Sequence, residues 1–418
     1  MTRRSLRANS ALAFAGDSAM KVSTLVVVLV AARTLTVPEF AVLATALAVA
    51  GILSTGLDIG AGTLVTRDGA RSRSERGRLL VGSLQARLPI FVVVLAAAPI
   101  IGSIVDRPWT ALAIAALGVT GAVTLTVLGC YRSCQDIRPE ALQRLAAGSL
   151  TVVAAGATAV VAPGANALLF ALVAVGVVTL LPLVLRLRTV ATLERSDRPV
   201  EVLRRAAPIG LLALATVAYY RSGTIALATL SDANATAAFG VASGVAFGLL
   251  MLPNAITTAL LPRLAAERER TDVVECTRRA LIWTTALAGV LACASATVVP
   301  ELLPVVLGPA YGEARAPFVL LCIGIPLIAA SGVIGTALLS IGRVRTLGLQ
   351  VVVTLVVNLV CIVALVPVAG AAGAALATLI CEAVGLALLV HVTRSALPGL
   401  VLPVRDRAPA IDASTAVS

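Results

Sequence analysis

RDGARSRSERGRLLVGSLQARLPIFVVVLAAAPII, residues 67–101, passes from a segment holding Arg67, Arg71, Arg73, Arg76 and Arg78 into a run whose only charge is Arg87. About 20 mostly apolar residues, rising about 1.5 Å each as a helix, cross the hydrocarbon core of a bilayer. Lipid satisfies no open backbone group, so such a run is helical or it does not cross. The run 79–101 meets this requirement, and the arginines at its start mark the end that stays on the cytoplasmic side.

The alternation continues in both directions. Apolar spans fall at 11–32, 40–59, 79–101, 109–128, 141–161 and 165–185, then at 208–230, 237–261, 280–299, 317–341, 347–366 and 371–392. Their unbroken apolarity, without a period of two, excludes barrel strands. The expected fold is an all-α polytopic membrane protein of twelve transmembrane helices. Of the 33 basic residues, 26 lie in the N-terminus, in the loop after every second span or in the tail, while the intervening loops hold only Arg33, Arg107 and Arg315. Both termini are therefore expected in the cytoplasm of a cell (inner or plasma) membrane protein.

Composition agrees: 59% of residues are hydrophobic, 13% are charged and the mean hydropathy is +1.01. A soluble domain carries about 25% charged residues. The net charge of +12 would suit nucleic acid on a soluble fold, but here the basic residues sit between spans, which excludes that partner. The run 11–32 is long and interrupted by Asp17 and Lys21, so it reads as a retained helix rather than a cleaved signal. Cys130 and Cys134 have neither redox nor zinc spacing, and His391 reads as an interfacial spacer. No metal or cofactor is expected. Without a phosphate-binding glycine loop, ATP is not the direct energy source.

The chain also reads as doubled. Phe40-Ala-Val-Leu opens the second span and Phe239-Gly-Val-Ala the eighth, and their exits, Leu64-Val-Thr-Arg67 and Leu260-Leu-Pro-Arg263, are alike. The expected division is a six-helix bundle over 1–185, a cytoplasmic linker over 186–207, a second bundle of the same orientation over 208–395 and a flexible tail over 396–418. Parallel repeats of this kind place a substrate path between the halves.

The charges left inside spans are the candidates for chemistry. Lys21, the only lysine, lies about 15 Å into the first span, with Asp17 one turn before it. Arg87 lies about 12 Å inside the third span, Arg221 deep in the seventh, and Glu382 about 16 Å from one end of the twelfth. A charge at the bilayer centre costs about 2.5–3.5 kcal/mol, so each must meet a cavity, water or a partner. Two arrangements fit. Asp17 could neutralise Lys21 and Arg221 pair with Glu382, or the cations could face a common cavity. Lys21 stands 19 residues before Phe40 and Arg221 18 before Phe239, which favours cations at matching depth and an anionic substrate such as a pyrophosphate. Arg144, near the end of the fifth span, reads as a snorkelling residue. Gln350, Thr354 and Asn358 recur every four residues, Thr378 lies one turn before Glu382, and Tyr220 adjoins Arg221; these are the expected polar lining. Pro182, Pro253 and Pro326 are placed to bend their spans.

Leu35-Thr-Val-Pro-Glu-Phe-Ala-Val-Leu43 and Leu57-Asp-Ile-Gly-Ala-Gly-Thr-Leu-Val-Thr-Arg67 resemble the opening of the polysaccharide biosynthesis proteins, the Wzx-type flippases of the multidrug, oligosaccharidyl-lipid and polysaccharide (MOP) exporter superfamily. The second half resembles them more closely, in Val306-Leu-Gly-Pro-Ala-Tyr-Gly-Glu-Ala314 and in the stretch from Asn358 through Pro367-Val-Ala-Gly-Ala-Ala-Gly to Thr378. The resemblance implies a V-shaped pair of bundles that carries a lipid-linked oligosaccharide between leaflets, with Lys21, Arg87 and Arg221 as cations for the lipid pyrophosphate. Asp17 or Glu382 would then be the acids that couple transport to H+ or Na+. A drug or cation antiporter of the same superfamily would need an interior dominated by acids. A membrane polymerase would need a sizeable outer loop, and the connection 300–316 is short, so no catalytic residue is expected.

Overall fold

The computed structural model describes residues 3–134, 136–193, 196, 198–266, 270–397 and 400. In chain order the helices are α1 (Arg3–Thr34), α2 (Val37–Asp58), α3 (Ala61–Asp68), α4 (Arg73–Ile104), α5 (Pro108–Ser133), α6 (Arg138–Val161) and α7 (Ala165–Leu185). There follow α8 (Leu187–Val190), α9 (Pro199–Leu230), α10 (Ala233–Gly248), α11 (Met251–Ala266), α12 (Arg270–Leu307), a 3₁₀ turn (Pro309–Ala314), α13 (Arg315–Ser340) and α14 (Val344–Ala396). No strand occurs among the described residues, and 91% of them are helical. Nine of these helices are long and apolar enough to cross a membrane, or ten if the bent pair α10–α11 is one span.

Small residues set the helix contacts, as expected where lipid removes the hydrophobic drive between helices. A Cβ at Gly16 would stand 3.0 Å from Ala141 O and one at Gly148 2.9 Å from Ala19 O, so α1 and α6 touch through their backbones. At the start of α2, the Glu39 carboxylate accepts from Thr36 N at 3.1 Å, and Pro38 fills the first turn where no N–H is needed.

Several expected boundaries change. The span expected over 237–261 is two helices, α10 and α11, bent by 44° about Leu249 and Leu250. Pro253 has no N–H for the Leu249 carbonyl, and its ring crowds that carbonyl. By contrast α7 and α13 run unbroken through Pro182 and Pro326. The connection expected over 300–316 is largely helical, as α12 reaches Leu307. The 53-residue α14 is a hairpin, broken at Gly370 (φ 50, ψ −128) three residues after Pro367. Gly373 packs on the Leu365 carbonyl and Gly385 on Gln350 and Thr354, so its two legs run antiparallel. The tail beyond residue 400 lies outside the described residues.

Part of the segment expected as a linker, 186–207, is helical. Residues 199–207 form the first turns of α9, and Arg188, Val190, Thr192 and Ser196 before it are laid on α4. Thr192 N donates to Arg73 O at 3.3 Å, Ser196 N donates to Gln85 Oε1 at 3.2 Å, and the Arg73 and Arg76 guanidinium groups donate to the carbonyls of Arg188 and Val190. Any side chain at Gly77 would overlap the Thr192 carbonyl. Val202 and Ala206 of α9 then join Leu64, Leu80, Val127 and Tyr131 in the core of the first half at its arginine-rich end.

At the opposite, arginine-poor end the two halves share one core. Phe40 and Leu43 pack in the same cluster as Phe239, Tyr311 and Phe318, and the Phe40 and Tyr311 rings meet edge-on at 6.0 Å. Arg33 donates to Val306 O at 2.9 Å across the same seam.

Candidate functional site

The interior charges divide by whether the protein already satisfies them. Arg87 is fully buried, at 0% exposure, against an expectation that it faces a cavity. The reason is Asp58, the last residue of α2. Ile59 (φ 50) and Gly60 (φ 79) turn the chain there, and both Asp58 carboxylate oxygens accept from Gly62 N at 3.2 Å, which starts α3. Arg87 reaches this corner from α4. It donates to Asp58 Oδ1 at 3.4 Å, to the carbonyls of Leu57, Asp58 and Ser83 at 3.1, 3.2 and 2.9 Å, and to the Thr126 hydroxyl at 2.8 Å. Thr126 passes its own proton toward Asp58 Oδ1 at 2.8 Å, and the guanidinium lies 5.5 Å from the Phe91 ring centroid. With its donors engaged and no surface open, Arg87 ties α2, α4 and α5 together and drops out of the cavity set.

Asp17 does not pair with Lys21. Its partner is Arg144 on α6, which also holds Glu140 at 2.7 Å, and Glu140 in turn takes Arg132 at 2.6 Å. Arg144 is thus a cross-helix link rather than a snorkelling end. Lys21 is left half-buried with no ion partner among the described residues. Gly16 and Ala19 face α6, and Lys21 stands about 200° round the helix from Ala19, on the side away from α6. It lies two turns below Val28, which packs on Gly244 of α10, so Lys21 belongs to the α1 face turned toward the second half.

Arg221 and Glu382 do not pair either. Glu382, 7% exposed, accepts from the Tyr219 hydroxyl at 2.7 Å. Asn358, 1% exposed, donates to Ser222 Oγ at 2.6 Å and to Tyr219 O at 3.4 Å, so both legs of α14 grip one turn of α9. Arg221 projects from the far side of that turn. Its side chain is exposed, with no ion partner among the described residues, and its Nε lies 3.6 Å from where a Cβ on Gly51 of α2 would stand. Tyr220 is exposed beside it, its ring edge-on to Phe247 of α10 at 5.9 Å. Arg221 and Tyr220 therefore lie between the halves.

The expected polar lining is mostly a helix contact. Thr354 donates to Gln350 O at 2.9 Å and Thr378 to Ala374 O at 3.0 Å, each within its own helix. Gln350 and Thr354 pack on Gly385 of the other leg, and Asn358 is turned to α9. Sequence reasoning missed Asp58, Ser222 and Asp68. Asp68 binds Arg67 at 2.9 Å and Arg205 of α9 at 2.6 Å, joining α3 to the start of the second half. The signal for Asp58 was present, as an acid closing an apolar span within reach of a span that holds an arginine. Among the described residues no group of three His, Cys, Asp or Glu could hold a metal ion, and all seven cysteines are free thiols.

The pattern of the family described as Polysaccharide biosynthesis protein matches residues 6–266. The chain belongs to that family. The match ends before the stretches 306–314 and 358–378, where the closer resemblance is expected, so the first half and the start of the second carry the membership. No curated protein matches the chain in sequence.

Solved structures agree on the fold. The lipid II flippase MurJ in an inward closed conformation aligns with a TM-score of 0.74 at 10% identity, covering 90% of this chain and 86% of that one. An inward-facing multidrug resistance MATE family transporter of the MOP superfamily gives 0.68 at 17% identity, covering 91% and 95%. A mutant of the Vibrio cholerae MATE transporter VcmN gives 0.63 at 14% identity, covering 94% and 97%. The family member is thus a multi-pass membrane protein that shares the fold of these solved structures.

Proposed function

We propose that the protein is a flippase that moves a lipid-linked pyrophosphate oligosaccharide from the inner to the outer leaflet of the plasma membrane. The observation that carries this reading is the imbalance of unpartnered charge between the halves. Asp17, Asp58 and Glu382 each have a partner, in Arg144, Arg87 and the Tyr219 hydroxyl, whereas Lys21 and Arg221 have none among the described residues. A cleft left with free cations favours an anion, and a diphosphate is the anion a lipid-linked sugar must bring across. A cation antiporter would need the reverse balance.

On this reading twelve spans arise from the nine apolar helices, the bent α10–α11 pair, the second leg of α14 and α9, with both termini and the arginine-rich end in the cytoplasm. The cleft opens alternately at the two ends while the lipid tail stays in the bilayer. Glu382 rather than Asp17 is the acid left for coupling to H+ or Na+, because Arg144 holds Asp17. The test is leaflet-resolved translocation of a lipid-linked oligosaccharide by proteoliposomes. Wild type should transport, and the Lys21→Ala/Arg221→Ala variant should be inserted, folded and inactive; full transport by that variant would overturn the reading. For orientation, a thiol introduced as Ser231→Cys in a cysteine-free background should label from outside and Ser395→Cys should not, and reversed labelling would refute it.

A further inference from the structure

The three arginines at the sparsely charged end meet different fates. Arg33 donates to Val306 O, and Arg315 pairs with Glu301 at 3.0 Å. Arg107, at the start of α5, is exposed, and its side chain has no hydrogen-bond or ion partner among the described residues. It borders a cavity of about 420 Å³ separate from the Lys21 and Arg221 region. That volume lies within the range of about 300–1,000 Å³ typical of small-molecule sites.

The cavity has two walls from opposite halves. The first turns of α2 and α5 supply Val42, Arg107 and Ile114; the end of α9 and the start of α10 supply Ala228, Asp232 and Thr236. Asp232 caps α10, its Oδ1 accepting from Ala235 N at 2.7 Å, which leaves its second oxygen free for a ligand. Arg107 and Asp232 do not pair with each other. The space thus offers a guanidinium on one wall, a carboxylate on the other and apolar side chains between them. Because it is built from helix ends, it sits at the level of lipid headgroups rather than at the bilayer centre.

We propose that this cavity binds a phosphoethanolamine phospholipid of the leaflet at the arginine-poor end. The headgroup carries an anion and a cation a few atoms apart: its phosphate meets Arg107, its ammonium meets Asp232, and an acyl chain follows the apolar wall. A phosphoglycerol lipid would bring the anion but leave Asp232 facing a neutral headgroup. Since the walls belong to different halves, a bound lipid fastens them together and favours the arrangement in which this end is closed, in proportion to its preference for that arrangement. This last step rests on the alternating movement proposed above; the binding itself does not.

The experiment is native mass spectrometry of the full chain with equal amounts of phosphatidylethanolamine and phosphatidylglycerol, and in parallel with free phosphoethanolamine. Wild type should retain the ethanolamine lipid preferentially. Arg107→Ala and Asp232→Asn should each weaken that retention roughly tenfold, as loss of one charge-assisted contact implies. Asn keeps the cap of α10, so Asp232→Asn tests recognition in a folded protein. Equal retention of the two lipids by wild type, or unchanged preference in both variants, would overturn the proposal. Free phosphoethanolamine binding as well as the lipid would overturn the assignment to a membrane lipid. Retention needs neither transport nor a known orientation, so a flippase assay that fails while retention holds would count against the proposed function alone.

Discussion

Arg87 and Arg221 are the same side chain in the same kind of environment, an otherwise apolar span, and they have opposite surroundings. Arg87 is sealed in the first half, its donors consumed by Asp58, Thr126 and three carbonyls. Arg221 stands between the halves with no ion partner among the described residues. A charge in a membrane protein has to be satisfied, and the two arginines meet that demand differently: Arg87 by a network that is finished at folding, Arg221 by an exposed position between the halves. Intramembrane location alone does not distinguish a structural cation from a functional one; the partner list does.

The comparison is broken most easily at Arg87. Replacing it by Ala strands the Asp58 carboxylate in a buried corner, and such losses cost about 3–5 kcal/mol. The folded yield and the melting temperature of Arg87→Ala should fall sharply, and a variant that is fully stable yet inactive would place Arg87 with Arg221 after all. Arg221→Ala should do the reverse. Its melting temperature should stay within the change expected of an open site, about 0.5 kcal/mol, while translocation drops roughly tenfold or more. Gly60→Ala strains a left-handed residue and drives a Cβ into Gly210, so denaturation should show a loss of about 1–3 kcal/mol with no specific effect on cargo affinity.

Ser222→Ala removes one hydrogen bond to Asn358 and should cost about 1 kcal/mol. The smallest effect is on pH dependence. The Arg67 hydrogen bond holds Asp68 below the usual carboxylate range, with further help from the charges of Arg67 and Arg205. The Asp68 contribution is therefore complete above the unfolded carboxylate value, about 3.9, and fades only as pH falls through the lower folded value. Melting curves of Asp68→Asn and wild type should differ by a constant amount at neutral pH and converge only in strong acid.

Helix type and placement were legible in the sequence because lipid imposes a length and a composition that few segments meet by accident. The two legs of α14 were separable for the same reason, with Gly370 falling between the expected spans 347–366 and 371–392. Charge pairing was not legible. Asp17 and Lys21 are one turn apart, and that proximity suggested a pair, yet an i, i+4 pair contributes only about 0.2–0.5 kcal/mol. Arg144, already beside Glu140 on α6, offers Asp17 a fork of donors that a lysine lacks, and it prevails. The break between α10 and α11 was also hidden, because Pro182 and Pro326 sit in equally apolar runs and leave their helices whole. Which proline breaks a helix depends on neighbours that a single span does not reveal.

Helix α9 is mounted at both ends on different bodies. Its foot is fixed in the first half by Val202, Ala206, the Arg205–Asp68 pair and the contact of Gly210 with Ile59 and Gly60. Its upper part is held by Glu382 and Asn358 in the second half. Any rocking of one half against the other must therefore appear as curvature in the two turns between Gly210 and Tyr219, just above Pro208, where a backbone hydrogen bond is already missing. A rod clamped this way behaves as a flexure. It stores elastic energy when the halves tilt and returns it when they relax, and because Arg221 rides on its free side, the same bending would swing the cation proposed to meet the cargo.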